Sequence, residues 1–543
     1  MKIILKSNTL SRSELAAGLS LSRAFFPHAQ VELEEESTDK AEDGKPIEKD
    51  PKDVDLNQSD TAVAHDEIGI VHIDIHYPDT PWRIEGYFSR QEAHHETGED
   101  IKEADVKEAA FEVDEDEVKA LLAHPYVGKE SLRKLFLKRG LLALLPQVAG
   151  HTPPWGILTG IRPSKILHRL HDAGYTVEES NRSLREVYGV REDKAQLLQE
   201  VVSLQQPYLN FMRTHPSHSA IYVGIPFCPT RCSYCSFPAY SLKQGREPLE
   251  RYLQGLREEI RITGAWMSAC GLVADSIYLG GGTPTILTTS EISALIALVL
   301  KAVPTEGVVE LTVEAGRPDT LSQEKLLALR ECGVNRLSIN PQTMHDQTLQ
   351  RIGRAHTVDD ILKVYQFARE IPDWVINMDL IMGLPGEGIK DIQETLEQIK
   401  ILDPDNLTVH ALAIKRGSKE HEQGSTQNLG SDLESIQHVV MTNAYSMGLQ
   451  PYYLYRQKYI AGNLENIGFA KPGLECRYNI GIMEEQQTVI GLGAGASSKI
   501  INPKDFSLIN IHHPSDWQAY LLRWQEMQMR REEAWNEGVK HGN

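Results

Sequence analysis

The sequence predicts an α/β protein whose centre is a partial, open barrel of six parallel β/α units, with an α+β extension before it and an accessory region after it. Two observations carry this. From Ala220 onward, short apolar runs alternate with amphipathic helical segments, and repeated βα units imply parallel strands joined by right-handed crossovers. Six units are found, too few for a complete eight-fold barrel.

The extension is assigned to residues 1–217. It opens as a strand, a short helix from Glu14 to Ala24 and a second strand ending near residue 33. The acidic stretch of about 34–66 has no aromatics and few large apolar residues. It buries too little surface to offset its ordering entropy and reads as a flexible insertion. Alternation from Ile68 to Tyr77 predicts a strand. Helical periodicity dominates from about Val113 to Met212, broken at His151-Thr152-Pro153-Pro154.

The barrel is assigned to 218–449. Its strands are predicted at Ala220–Gly224, Asp275–Leu279, Val308–Val313, Asn335–Asn340, Val375–Ile381 and Leu407–Leu412. Between them come helices such as Pro248–Ile262, Thr289–Val303, Ser322–Cys332, Val358–Glu370 and Ile389–Leu402. Residues 450–543 are Tyr- and Gly-rich at first and less regular, which suggests an accessory region.

Composition narrows the function. With 543 residues, 41% of them hydrophobic, the chain can bury one large core and at least one smaller one. A net charge of −20 argues against a sequence-independent grip on nucleic acid or on an anionic membrane. An anionic substrate must then be met by local Arg and Lys. The run Met1-Lys2-Ile3-Ile4-Leu5-Lys6 is too short for a signal-peptide core, and no stretch approaches a membrane span. Six cysteines do not make a disulfide scaffold in a chain of this size, so the expected compartment is the reducing cytoplasm.

Chemistry concentrates in the loop leaving the first barrel strand, Gly224-Ile225-Pro226-Phe227-Cys228-Pro229-Thr230-Arg231-Cys232-Ser233-Tyr234-Cys235. Three thiolates within eight positions suit an iron–sulfur cluster, and three ligands for four irons leave one iron open. A structural zinc site wants a fourth ligand close by. Cys270 and Cys332 fall in helical segments and, with Cys476, are assigned to packing.

The later strands also end in suggestive residues, on the face where barrel active sites assemble. Strand two runs into Gly280-Gly281-Gly282-Thr283-Pro284, either a ligand-binding backbone or simply a tight turn. Strand three ends at Glu314, within Thr312-Val313-Glu314-Ala315-Gly316-Arg317-Pro318. Strand four ends at Asn340-Pro341-Gln342, with Arg354 following as either a ligand contact or a helix-flank ion pair. Asp379 lies inside the fifth strand, where a carboxylate is costly unless paired or bound to a ligand. Strand six leads to Ala413-Ile414-Lys415-Arg416.

The Cys-x-x-x-Cys-x-x-Cys loop resembles the signature of the radical-SAM superfamily. Together with Gly280–Pro284, Gly333–Ser338, Ile352-Gly353-Arg354 and Asp379–Gly386, it looks like the oxygen-independent coproporphyrinogen III oxidase family over roughly Ser219 to Lys499. The segments Thr159–Lys165, Cys235–Tyr240 and Ile490–Ala496 resemble its HemZ branch, coproporphyrinogen dehydrogenase. That resemblance implies a [4Fe–4S] cluster on Cys228, Cys232 and Cys235, with S-adenosylmethionine (SAM) chelating the open iron beside Tyr222, Gly281 and Glu314. A second SAM in some members would lie near Tyr234, Gly282, Thr283, Gln342, Arg354, Asp379 and Ala413. SAM cleavage yields a 5′-deoxyadenosyl radical that takes hydrogen from a propionate β-carbon, and loss of CO2 and an electron leaves a vinyl group. No separate catalytic residue is assigned. Arg231, Lys415 and Arg416 are candidates for the propionates of a tetrapyrrole, or solvated charges. An electron donor of flavodoxin or ferredoxin type and an electron acceptor are implied as partners.

Two departures are visible. The best-known branch of the family has a further cysteine where this chain has Phe237. The haem-delivery branch, which keeps cluster and SAM without dehydrogenase activity, carries a His-Asn-x-x-Tyr-Trp element; the comparable segment here is Cys476-Arg477-Tyr478-Asn479-Ile480. Haem delivery and another radical-SAM reaction on an anionic small molecule are the alternatives in function. Two further segments stay open: Gly491-Leu492-Gly493-Ala494-Gly495 as a dinucleotide fold, and Tyr452–Lys458 as the lining of a porphyrin-sized cavity or a packed strand.

Overall fold

In the computed structural model the described residues are 2–7, 12–25, 30–35, 67–76, 82–92, 104–113, 129–235, 239–242, 245–412, 433–457, 464–502 and 507–540. Most of the acidic stretch, residues 36–66, lies outside them, as do Phe237, Ala413, Lys415 and Arg416. The chain forms two compact units.

The first comprises Met1–Thr159 and Arg169–Gln196. Its sheet holds β1 (Lys2–Ser7), β2 (Gln30–Glu35), β3 (Glu67–His76), β4 (Trp82–Glu92) and β5 (Ala104–Val113) in the order β2-β1-β3-β4-β5. The helix Arg12–Phe25 makes the crossover that lets β1 and β2 run parallel. Strands β3, β4 and β5 form an antiparallel meander. Strand β3 coincides with the alternating run, whereas β4 and β5 have no counterpart in the sequence reading. Val113, where helical periodicity sets in along the sequence, instead ends β5, and the next described helix is Lys129–Leu144.

The second unit comprises Gly160–His168 and Leu197–Asn543 and is built on one sheet of eleven strands. Its centre is β6 (His218–Ile225), followed by the short pair β7 (Phe227–Cys228) and β8 (Tyr240–Ser241), then β9 (Val273–Gly281), β10 (Thr305–Glu314), β11 (Arg336–Ser338), β12 (Val375–Met382) and β13 (Asn406–Ala411). Apart from the separate β7–β8 pair, these strands pair in parallel in that order, and they coincide with the six predicted units. Buried on both faces, parallel strands read as short, largely apolar runs, so the sequence shows them plainly. The connecting helices announce themselves too. Thr288 and Thr357 close capping boxes with Glu291 and Asp360, fixing the starts of the helices Thr289–Ala302 and Val358–Glu370.

The late segment does more than append a region. Strands β14 (Gln450–Tyr455) and β15 (Asn466–Ala470) add antiparallel strands beyond β13. On the other flank, β16 (Thr488–Leu492) pairs parallel with β6, and β17 (Ser497–Ile501) and β18 (Leu508–His512) continue antiparallel. The sheet ends at β14 on one side and β18 on the other, so the barrel stays open.

The Gly491–Gly495 segment is therefore no dinucleotide fold. It turns from β16 back into β17 without an intervening helix, and a Cβ on Gly493 would lie 2.6 Å from the carbonyl oxygen of Gly224. The glycine is needed for close backbone approach. Tyr452 and Tyr453 are buried core residues of β14, so their part of the tyrosine run is a packed strand.

The helix Trp517–Lys540 docks on the helix Glu247–Cys270 through a buried carboxylate. Glu259 accepts from Tyr520 at 2.7 Å and from the Gly493 amide at 2.9 Å, and pairs with His513 at 2.8 Å and Arg531 at 2.9 Å. Burial alone would raise the Glu259 pKa; His513, Arg531 and Tyr520 outweigh it and hold the group at about 2.

Candidate active site

The cysteine loop is clamped from two sides. Below it, the glycine turn after β9 reaches up: the Gly282 amide donates to the Ile225 carbonyl at 2.8 Å and the Thr283 amide to the Phe227 carbonyl at 2.8 Å. The Thr283 hydroxyl reaches the Cys228 sulfur at 3.3 Å. A Cβ on Gly282 would stand 2.7 Å from the Phe227 carbonyl oxygen and 2.9 Å from that sulfur, so only glycine fits. The glycine run is a tight turn, with Gly281 at φ +112° and the Gly282 and Thr283 amides bonded to carbonyls of the cysteine loop. On the other side, the Ser233 amide donates to the Ile352 carbonyl at 3.0 Å, and the Thr230 hydroxyl to the Gly353 carbonyl at 3.0 Å.

Arg354 is buried and, among the described residues, makes no ion pair. Its Nη1 donates to the carbonyls of Asn340 at 2.6 Å and Gly316 at 3.0 Å, and its Nη2 reaches the Tyr234 hydroxyl at 3.4 Å. The predicted residues Tyr234 and Arg354 thus meet, and through them the cysteine loop meets the ends of β10 and β11. Gln342 is held in the left-handed region at φ +69°, with its amide on the Asp379 carbonyl at 2.9 Å. The Gln342 Oε1, the Asn340 Oδ1 and the Arg354 Nε are all buried without a protein partner. These three atoms, close in the chain to one another or to Arg354's carbonyl partners, are free to meet a polar ligand.

Tyr222, Tyr278 and Tyr478 stack, with ring centroids 4.5 Å apart for the last two. Tyr278 donates to Glu314 at 2.7 Å. Burial first, and the Asp379 charge second, push the Glu314 carboxyl up to about 7, against the pull of Tyr278. Asp379 itself accepts from Asn377 at 2.7 Å and lies 3.9 Å from His410.

The site gathers every predicted residue that is described except Arg231, whose side chain is exposed; its carbonyl backs onto Gly353. Sequence reasoning missed Arg317, Asp319 and Tyr278. Arg317 donates to Thr230 Oγ1 at 3.1 Å and approaches the Cys232 sulfur at 3.9 Å. Its position three residues after Glu314 was the available signal.

Three thiols on one clamped loop, with donors aimed at two of the sulfurs, fit an iron–sulfur cluster. Burial pushes the Cys228 thiol up to about 11, so it becomes a thiolate only when a metal replaces its proton. Among the described residues no three His, Cys, Asp or Glu are set to hold a single metal ion. A cubane differs in attaching each thiolate to a different iron.

The Radical SAM superfamily model matches residues 222–399, which include the whole cysteine loop; that superfamily uses a [4Fe–4S] cluster and SAM. HemZ of Bacillus subtilis, described as an oxygen-independent coproporphyrinogen-III oxidase-like protein, is 41% identical over 387 residues, 71% of this chain and 77% of HemZ. The heme chaperone HemW of the same bacterium is 31% identical over 300 residues, 54% of this chain and 74% of HemW. Among solved structures, the coproporphyrinogen III oxidase HemN of Escherichia coli is similar over 59% of this chain and 72% of that chain, with 22% identity and a TM-score of 0.47. Among the described residues no helix is long and apolar enough to cross a membrane. Identity of that order with HemZ over more than two thirds of the chain, joined to the superfamily match across the cysteine loop, makes this protein a member of the HemN/HemZ-type family of radical-SAM proteins, a family of haem metabolism.

Proposed function

We propose that the protein is a coproporphyrinogen dehydrogenase, which converts coproporphyrinogen III to protoporphyrinogen IX without oxygen. The observation that carries this reading is the identity with HemZ, 41% over 71% of the chain, against 31% over 54% with the haem chaperone HemW. The segment comparable to the histidine element of haem-delivery proteins supports it as well. Here Cys476 is buried with its thiol on Glu310 at 3.2 Å, and the Arg477 amide donates to the same carboxylate at 2.8 Å. That segment is committed to packing and offers no imidazole to haem iron.

In this reading Cys228, Cys232 and Cys235 hold the cluster. When bound, cluster and SAM supply the radical that takes hydrogen from a propionate side chain. Glu314, once ionised, accepts the SAM ammonium, with Tyr222 and Gly281 beside it. Tyr234, Gly282, Thr283, Gln342, Arg354 and Asp379 would line the place of a second SAM, with Ala413, outside the described residues, assigned to it by the family resemblance. The orphaned atoms of Gln342 and Arg354 give that ligand its polar contacts. The propionates are assigned, on the family resemblance, to Arg231, an exposed side chain of the cysteine loop, and to Lys415 and Arg416, which lie outside the described residues. The enclosing strand ends keep water from the reacting carbon. The working partners are a flavodoxin- or ferredoxin-like donor and an electron acceptor, in the cytoplasm.

Anaerobic incubation of cluster-reconstituted protein with SAM, reductant and coproporphyrinogen III tests this. Protoporphyrinogen, read by porphyrin fluorescence after oxidation, is the expected product. Retention of haem without porphyrin turnover would instead make the chain a haem-delivery protein. Formation of 5′-deoxyadenosine with no porphyrin change would point to another substrate.

A further inference from the structure

Arg317 lies just past β10, with its side chain 5% exposed. One edge of its guanidinium forms a fork on Asp319, Nε to Oδ1 at 2.9 Å and Nη2 to Oδ2 at 3.0 Å. The other end faces the cysteine loop. Nη1 and Nη2 both reach the Thr230 hydroxyl at 3.1 Å, and Nη1 also reaches the Thr230 carbonyl at 3.4 Å and the Cys232 sulfur at 3.9 Å. Asp319 has a second neighbour in the buried ring of His356, whose Nδ1 is 3.6 Å away. The loop is already anchored through Gly282, Thr283, Ile352 and Gly353, so an arginine is not needed to tether it. What arginine adds is a permanent cation, desolvated and fixed by a carboxylate behind it, against one thiol of the trio.

We propose that Arg317 is a positioning residue that orients Cys232 through Thr230 and sets a constant positive charge against its sulfur, making the cluster easier to reduce. The inference rests on the cluster assignment made above and goes beyond it. Adding an electron to a cubane increases the negative charge shared by its sulfur ligands, so a nearby buried cation stabilises the reduced form more than the oxidised one. Asp319 opposes this from behind, which makes the pair a setting of the potential from both directions.

The test is an EPR-monitored redox titration of reconstituted full-length protein: wild type, Arg317→Met, Arg317→Lys and Asp319→Asn. At the wild-type midpoint, Arg317→Met is expected to lower the ratio of reduced to oxidised cluster about tenfold, equivalent to about 59 mV for one electron. Arg317→Lys keeps the charge and shifts it less. Asp319→Asn removes the opposing charge and shifts the ratio the other way. A loaded Arg317→Met cluster with an unchanged midpoint overturns the proposal. If Arg317→Met takes up no cluster, Asp319→Asn decides: an upward shift supports the idea, and no shift or a downward one sinks it. Wild-type protein that takes up no [4Fe–4S] cluster would refute the cluster assignment instead, a distinct outcome.

Discussion

The amide of Gln342 donates to the carbonyl of Asp379 at 2.9 Å while Gln342 itself sits at φ +69°. The bond ties the end of β11 to the middle of β12, and the Gln342 carbonyl accepts from Ile381 at 3.0 Å to complete the tie. A left-handed conformation in a residue with a Cβ costs about 1–2 kcal/mol, so the side chain is kept there despite the backbone. Gln342→Gly should therefore leave the unfolding free energy within about 1 kcal/mol of wild type, relief of strain offsetting lost packing. SAM binding, measured by calorimetry on the same sample, should weaken at least tenfold. Equal binding by the glycine variant would remove Gln342 from the ligand site.

Glu314 carries a pH signature. Its pKa is raised by burial from 4.5 to about 7, so the uncharged form is favoured in the folded state. The stability associated with that protonated form is fully present below pH 4.5 and is lost as pH rises through 7. The loss is about 3 kcal/mol. Thermal scans of cluster-free protein at pH 8 should show Glu314→Gln more stable than wild type. SAM binding should run the opposite way, weakening in wild type as pH falls below 7 and becoming weak and flat in the variant.

Glu259 shifts in the other direction. Held at about 2 against an ordinary 4.5, it contributes stability above pH 4.5 that disappears as pH falls through 2. Arg531→Met leaves this carboxylate buried with one partner fewer, at a cost of about 3–5 kcal/mol. Urea unfolding at pH 7 should register the loss, and acid unfolding should begin at a higher pH than in wild type.

Gly282→Ala forces a methyl group between the Phe227 carbonyl and the Cys228 sulfur, where the nearest approach is 2.7 Å. Iron content after reconstitution should fall by more than half. Cys270→Ala, at the far end of the helix Glu247–Cys270, should load as wild type does.

Features written into consecutive residues were readable in advance. The six central strands were visible because burial on both faces makes each a short, largely apolar run set between helical segments, and the cysteine trio because a cluster fixes its spacing. Contacts between distant segments were not. Arg317 finds its partners in Thr230 and Cys232, far upstream in the chain; its place three residues after Glu314 marks it as near the site but does not say which loop residues it meets. Strand β16 has the same apolar look as any buried strand, and only its register against β6 reveals that it belongs to the barrel sheet. Strands β4 and β5 carry charges along their length, which blurred the alternation on which their detection depends.

Strand β6 is bordered by β9 on one side and by β16 on the other. During synthesis the segment that leads into the cysteines is made long before Thr488–Leu492 leaves the ribosome, so one margin of it waits bare. An edge of unpaired backbone amides and carbonyls is the kind of margin that invites pairing with other chains. The wall that Gly493 and Ala494 raise against Gly224 is therefore supplied by a segment made well after all three loop cysteines, and a chain cut short before Thr488 leaves this side of β6 without its neighbour.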